Sequence, residues 1–313
     1  MSEASEPLPG APAARRPASQ AGGWEGLQAE AKQIVASAGT QGVTLRVVGS
    51  AGIRLHCPRP GPLMDRLGRP AKDIDLVVPQ RHRKGMRRLL EERGYVVDRD
   101  LLIAMEGTRY SFAHREHGTE IDVFVERLNF CHTIEVAGRL SAHPVTIPIE
   151  ELLLQKVQIV AMTTTDLIDA SVLLATHDVT APGGGPVAAG RPPGPGAEQA
   201  GGTGEAAASG PAAAGEAAGA AGEALDAAHI ARLLARDWGF HHTATANLER
   251  VAQGVTGAVL DLGAAGAARV QHGVTRLLGA ISAEPKSLAW RMRDKVGERK
   301  QWWQDVDERE ATY

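Results

Sequence analysis

The chain has 313 residues, two cysteines, a formal net charge of −3 and 23% charged residues. Its length predicts about two domains, and a near-neutral charge gives no global pull toward nucleic acid or an anionic membrane. Cys57 and Cys131 are too few for a disulfide scaffold, and no apolar run is long enough for a helical membrane span, so we expect a cytoplasmic protein.

Composition predicts four pieces: a disordered arm over 1–23, an α/β domain over 24–178, a linker over 179–224 and a helical module over 225–313. The arm is rich in Pro, Ala, Ser and Gly, holds too little apolar surface to fold, and lacks the apolar stretch of a signal peptide. In the linker, Gly and Pro interrupt the Ala runs repeatedly, which predicts a flexible chain that proteases cut first.

In the α/β domain, Gly26 to Ala38 has helical spacing, and Thr44 to Val48 reads as a strand that ends in Gly49-Ser50 and enters a helix, Ala51 to His56. Cys57 to Pro70 is rich in Pro and Gly and reads as a surface loop. Asp73 to Val78 is the next strand, Arg81 to Arg93 a helix stopped by Gly94, and Tyr95 to Val97, Tyr110 to Ala113 and Glu120 to Val125 are further strands. Pro148 opens a helix to about Met162, and Thr165 caps another holding Asp166 and Asp169. The class is mixed α/β (α+β), with an all-helical C-terminal module.

The chemistry concentrates in Lys72-Asp73-Ile74-Asp75-Leu76-Val77-Val78. Side chains alternate along a strand, so Asp73 and Asp75 share one face about 7 Å apart, while Ile74, Leu76 and Val78 point to a core. Two such carboxylates repel unless a cation lies between them, and hard oxygen ligands suit Mg²⁺. Alone, a D-x-D reads as a solvated acidic face. Here Gly49-Ser50 at a helix N-terminus offers phosphate-binding N–H groups upstream. Downstream, Asp122 repeats the alternation on a second acidic strand.

In this order, Gly49-Ser50, Asp73-x-Asp75 and Asp122 resemble the signature of the DNA polymerase β-like nucleotidyltransferase superfamily, minimal bacterial type. Glu150-Glu151-Leu152-Leu153-Leu154-Gln155-Lys156, followed by Thr165-Asp166-Leu167-Ile168-Asp169, resembles a region of the abortive-infection nucleotidyltransferase toxins. The resemblance runs from about Val43 to His177, with a longer Gly-Ser to D-x-D spacing than the family uses. It implies metal-dependent transfer of a nucleoside monophosphate from an NTP, such as ATP, with Mg²⁺ or Mn²⁺ as cofactor. Asp73, Asp75 and Asp122 would be the catalytic metal ligands, with Asp122 a ligand or general base, and Gly49, Ser50 and Lys156 would bind the nucleotide. The acceptor stays open among a tRNA, a protein and a small molecule, and no membrane partner is implied. A non-catalytic relative, using the fold as a binding or regulatory module, is the alternative. Asp169 reads as structural and Asp166 as either a cap or an orienting partner for Lys156.

Other candidates read as structural. His56-Cys57 and Cys131-His132 lack the spacing of a zinc motif, so no zinc is expected from either pair. Trp290, Trp302 and Trp303 lie among basic residues, as in single-strand binders, but the acidic residues beside them balance the charge. Packing between helices is the expected use of these tryptophans.

Overall fold

A computed structural model describes residues 23–57, 61–180, 223–257 and 259–305. The 1–22 portion of the expected arm and the 181–222 portion of the expected linker lie outside the described residues. In chain order the elements are α1 (Gly23–Thr40), β1 (Arg46–Val48), α2 (Gly49–His56), α3 (Gly61–Arg66), β2 (Asp73–Val78), α4 (Arg83–Glu92), β3 (Tyr95–Val97), α5 (Arg99–Ala104), β4 (Arg109–His114) and β5 (Glu120–Val125). A small hairpin of β6 (Arg127–Asn129) and β7 (Thr133–Glu135) follows, then α6 (Ile149–Val157), α7 (Thr164–Thr176) and β8 (Asp178–Val179). After the undescribed stretch come β9 (Ala224–Leu225), α8 (Ala227–Leu234), α9 (Trp238–Thr256), α10 (Gly263–Ala283) and α11 (Leu288–Asp294).

Five strands form one mixed sheet in the order β1-β2-β5-β4-β3. Only β2 and β5 run parallel; the other three pairings are antiparallel. The alternation read from the sequence sets the faces. Ile74, Leu76, Ile121 and Val123 are wholly buried, while Asp73, Asp75 and Asp122 keep part of their surface exposed. The outer edge of β1 is covered by the segment before α6: Val47 N–H donates to the Val145 carbonyl at 2.9 Å, and Ile147 N–H to the Val47 carbonyl at 3.2 Å. That cover removes an unpaired strand edge.

The expected surface loop over 57–70 is different in the structure. It contains α3, whose Met64 is fully buried, and its Arg69 reaches an interior carboxylate. Burial of one such side chain is worth about 1.5–3 kcal/mol, which is why the insertion folds onto the domain instead of standing away from it. Two helix boundaries also move. Pro148 is the N-cap of α6, which ends at Val157, well before Met162. Thr163, not Thr165, caps α7, in a capping box with Asp166.

The helices after the undescribed stretch pack on the helices before it, with α10 against α7 and α9 against both α6 and α7. Leu174, Val274 and Leu277 belong to the same hydrophobic cluster as the sheet residues. The chain re-enters through a parallel pair of β9 with β8, Val179 opposite Leu225. Thus Val179 and Ala224, read as linker ends, are strand residues. Trp302 packs edge-on against Trp238 and donates from its indole Nε1 to Thr243 Oγ1 at 3.1 Å.

Candidate active site

The parallel register of β2 and β5 sets Asp73 opposite Glu120 and Asp75 opposite Asp122. Neighbouring strands lie about 5 Å apart, so Asp75 and Asp122 stand side by side on one face, with Asp73 two residues along. The strand order, invisible in the sequence, is what joins the two acidic motifs.

Gly49 follows β1 directly, opens α2, and has φ of 64°. A Cβ on Gly49 would lie 2.0 Å from Asp75 Oδ2, so only glycine lets the chain turn into α2 against that carboxylate. The Gly49 N–H donates to Gln155 Oε1 at 2.9 Å, in place of a cap from the apolar N-cap residue Val48.

Crowding raises the proton affinity of this face. Asp75 is pushed up to about 8, first by loss of water and then by the charges of Asp73 and Asp122. Asp73 is also raised, by desolvation and by Asp122. Arg109, on β4, donates from Nη2 to Asp122 Oδ2 at 2.7 Å, with its guanidinium over the Phe124 ring. Glu120 adds a further carboxylate opposite Asp73, and Arg109, Lys72, Arg69 and Lys156 act on the face from around it; a divalent cation would relieve the repulsion among Asp73, Asp75 and Asp122. The donor set is all oxygen, and glycine at 49 lets the Asp75 carboxylate lie against the start of α2, so these residues fit a Mg²⁺-type ion. Asp73, Asp75 and Asp122 do not converge as tightly as a closed single-ion cage would.

Ser50 and Lys156 are drawn into a second, interior network. Ser50 Oγ donates to Asp169 Oδ2 at 2.7 Å, and Arg69 donates to Ser50 Oγ and, from Nε, to Asp169 Oδ1 at 2.9 Å. Lys156 Nζ lies 3.0 Å from Asp169 Oδ2 and 3.5 Å from Asp166 Oδ1. Asp169 has no exposed surface. Burial would raise its pKa, but Lys156 and Arg69 outweigh it and hold the carboxyl below its ordinary value. Burial likewise opposes the charge on Lys156, yet Asp169 and Asp166 hold its pKa up. The positive charges of Arg69 and Lys156 are still felt at Asp73, where both favour the ionised form.

The structure therefore gathers Gly49, Asp73, Asp75 and Asp122 at one face. It places Ser50 and Lys156 behind them, on Asp169. Sequence reasoning missed Arg109, Arg69 and Gln155. Gln155 stood inside the quoted helix motif, but nothing in the local pattern marks either arginine as a partner of a carboxylate 13 or 100 residues away.

No family model matches the chain, and no curated protein matches it. Among solved structures, an antigenic nucleotidyltransferase-like protein from Paracoccidioides brasiliensis is similar at 14% identity and a TM-score of 0.32, over 49% of this chain and 78% of that one.

Proposed function

We propose that the chain is a divalent-cation-dependent nucleotidyltransferase that moves a nucleoside monophosphate from an NTP to an acceptor hydroxyl. The observation that carries this reading is the register of Asp75 with Asp122 beside a positive-φ glycine that opens a helix against Asp75. Asp73 and Asp75 would hold the cation and the triphosphate, and Asp122 would serve the acceptor side. A divalent ion bound there supplies charge neutralisation of the triphosphate and acidifies a coordinated hydroxyl.

The chain's own groups have distinct tasks in this reaction. The N–H groups of α2 beyond Gly49, whose own N–H is held by Gln155, would face the phosphates, an arrangement favoured by the helix dipole. Gln155 fixes Gly49 through its N–H, and Asp169 fixes Ser50, so the turn keeps its shape when the nucleotide leaves. Lys156 and Arg69 contribute a positive field from behind the site, and do not need to leave Asp169 to do so. Arg109 holds one oxygen of Asp122, and a shift of that guanidinium toward the incoming triphosphate would leave both oxygens to act as ligand or base.

The Arg109–Asp122 pair also favours a second reading, in which the third carboxylate is permanently neutralised and the fold binds nucleotide without turnover. Transfer of label separates the two. The protein is incubated with each NTP labelled at the α-phosphate, with Mg²⁺, and then with tRNA, protein and small-molecule fractions. Label moving to one fraction with the parent, and not with Asp75→Asn, supports the enzyme. NTP binding without transfer to any fraction supports the binding module. Absence of both Mg²⁺-dependent NTP binding and transfer overturns the proposal.

A further inference from the structure

Among the described residues, His56, His177 and Glu223 place one ligand atom each within 4.8 Å of one another. They come from the C-terminal end of α2, the residue after α7, and the residue before β9. His56 and His177 are buried, and Glu223 is the exposed member.

Hydrogen bonding fixes what His56 can offer. Its Nε2 faces Thr146 Oγ1 and, at 3.2 Å, the carbonyl of Ile147, which can only accept. Thr146 Oγ1 in turn lies 2.8 Å from His143 Nδ1, and that nitrogen already accepts from the Thr146 N–H at 2.9 Å. A consistent chain runs His56 Nε2–H to Thr146 Oγ–H to His143 Nδ1, so the His56 proton sits on Nε2. His56 Nδ1 then points a lone pair at Glu223 Oε2, 2.8 Å away. Two lone pairs at that distance need a positive centre between them, either a second imidazole proton or a metal ion. Metal-bound histidines commonly donate their other N–H to a backbone or side-chain acceptor, as His56 does here.

The remaining members suit the ion. His177 Nδ1 faces the Leu173 carbonyl at 3.2 Å, which leaves Nε2 for an ion, and Glu223 adds a carboxylate oxygen. A surface cavity lined by His177, Asp178, Arg269 and His272 borders one member of the cluster. Ligand atoms at about 2.0–2.1 Å from a tetrahedral ion stand about 3.4 Å apart. His56 Nδ1 and Glu223 Oε2, now 2.8 Å apart, must therefore open by about 0.6 Å to share an ion, and no pair of ligand atoms in the cluster stands more than 4.8 Å apart.

We propose that His56, His177 and Glu223 form a binding site for a Zn²⁺-class dication, separate from the Asp73–Asp75–Asp122 face. Two imidazoles and one carboxylate are the ligand chemistry of Zn²⁺ or Co²⁺ and not of Mg²⁺. The site fastens the chain just before β9 to the far end of α2, the helix whose first residue cradles Asp75. Neither adjacent His-Cys pair signals it, because the three ligands are 121 and 46 residues apart (177 − 56 and 223 − 177).

The test uses the full chain without a polyhistidine tag, metal-stripped and titrated with Co²⁺ and Zn²⁺. Equilibrium dialysis with elemental analysis should find one tightly held Zn²⁺ that millimolar Mg²⁺ does not displace. The Co²⁺ form should show the visible ligand-field absorption of a low-coordinate site. Glu223→Gln and His177→Gln should each weaken binding by more than about 100-fold, beyond the about 10- to 100-fold cost of losing a supporting partner. Zn²⁺ should raise the melting temperature of the parent and not that of Glu223→Gln, whose exposed side chain makes a folding defect unimportant. Asp75→Asn should bind Zn²⁺ as the parent does, which separates this result from failure of the nucleotidyltransferase reading. Absence of stoichiometric Zn²⁺, or binding that survives both Glu223→Gln and His177→Gln, leaves a proton between His56 and Glu223 and overturns the proposal. Loss of Zn²⁺ binding in a folded Asp75→Asn overturns it as well.

Discussion

Asp75→Asn is the substitution that reads the electrostatics of the acidic face most directly. Asp75 has a pKa of about 8 in the folded protein against 3.8 for the free side chain. A carboxyl raised in this way favours the native state while protonated. That contribution is complete below about pH 4 and is lost as pH rises through about 8. At about 1.4 kcal/mol for each tenfold change in proton affinity, the gap between the two values sets an upper bound of about 6 kcal/mol. Asp75 shares its titration with Asp73 and keeps part of its surface in water, so about 2–3 kcal/mol is the expected remainder. Asn keeps the shape and never ionises. Without divalent cation, the variant should be about 2–3 kcal/mol more stable than the parent at pH 8, or about 3–6 °C in melting temperature for a chain of this size. The difference should shrink toward zero at pH 4–5, where the parent is protonated too. Saturating Mg²⁺ should restore the parent by about 2.7 kcal/mol at 100 times the dissociation constant, and the variant by much less. Differential scanning fluorimetry of both proteins from pH 4.5 to 8.5, with and without Mg²⁺, measures all three effects. A difference that does not vary with pH, or a parent that is the more stable protein at pH 8, refutes the reasoning.

Gly49→Ala combines a positive-φ position with a Cβ 2.0 Å from Asp75 Oδ2. It should cost about 1–3 kcal/mol in urea unfolding and abolish Mg²⁺-dependent nucleotide binding, measured by calorimetry. Asp169→Ala strands Lys156 and Arg69 in the interior and should cost about 3–5 kcal/mol by the same denaturant method. A loss under 1 kcal/mol would show that the network is not closed as described. Arg109→Gln should leave the fold intact, as judged by circular dichroism, and strengthen Mg²⁺ binding by releasing Asp122. Weaker Mg²⁺ binding in that variant would assign Arg109 to positioning Asp122 instead.

Period-2 alternation made the strands legible. Asp73 to Val78 and Glu120 to Val125 coincide with β2 and β5 to the residue, because each has one apolar and one acidic face. Caps and helix ends were less legible. Thr163, Thr164 and Thr165 are chemically equivalent candidates, and only the return bond from Asp166 selects Thr163. Short elements without an alternating face, α5 and the β6–β7 hairpin, gave no signal at all. The stretch over 57–70 misled because Pro and Gly mark turns locally, while Met64 and Arg69 find their partners through tertiary packing. At the site, the acidic residues were visible and their counter-charges were not. An arginine on a neighbouring strand or in an insertion has no sequence signature until strand order is known.

That asymmetry has a physical origin in how the two networks divide the work. Buried ion pairs contribute little net stability, since desolvation consumes most of their attraction, so the Ser50–Arg69–Lys156–Asp169 cluster is poorly explained as a stabilising device. Its geometry explains it better. Ser50 sits one residue beyond Gly49 in α2, Lys156 one residue beyond Gln155 in α6, and Asp169 on α7 holds both Ser50 and Lys156. Three helices are thereby locked at the point where Gly49 meets Asp75. Each partner is satisfied only in one arrangement, because any other leaves a buried charge alone at a cost of several kcal/mol. The exposed face can then carry unbalanced carboxylates, whose mutual repulsion would otherwise spread β2 from β5 or pull α2 away. A face held in a repelling arrangement by a rigid interior is poised to accept positive charge, and on the proposed function the free energy of that binding would go into the ion and its triphosphate, not into refolding the site.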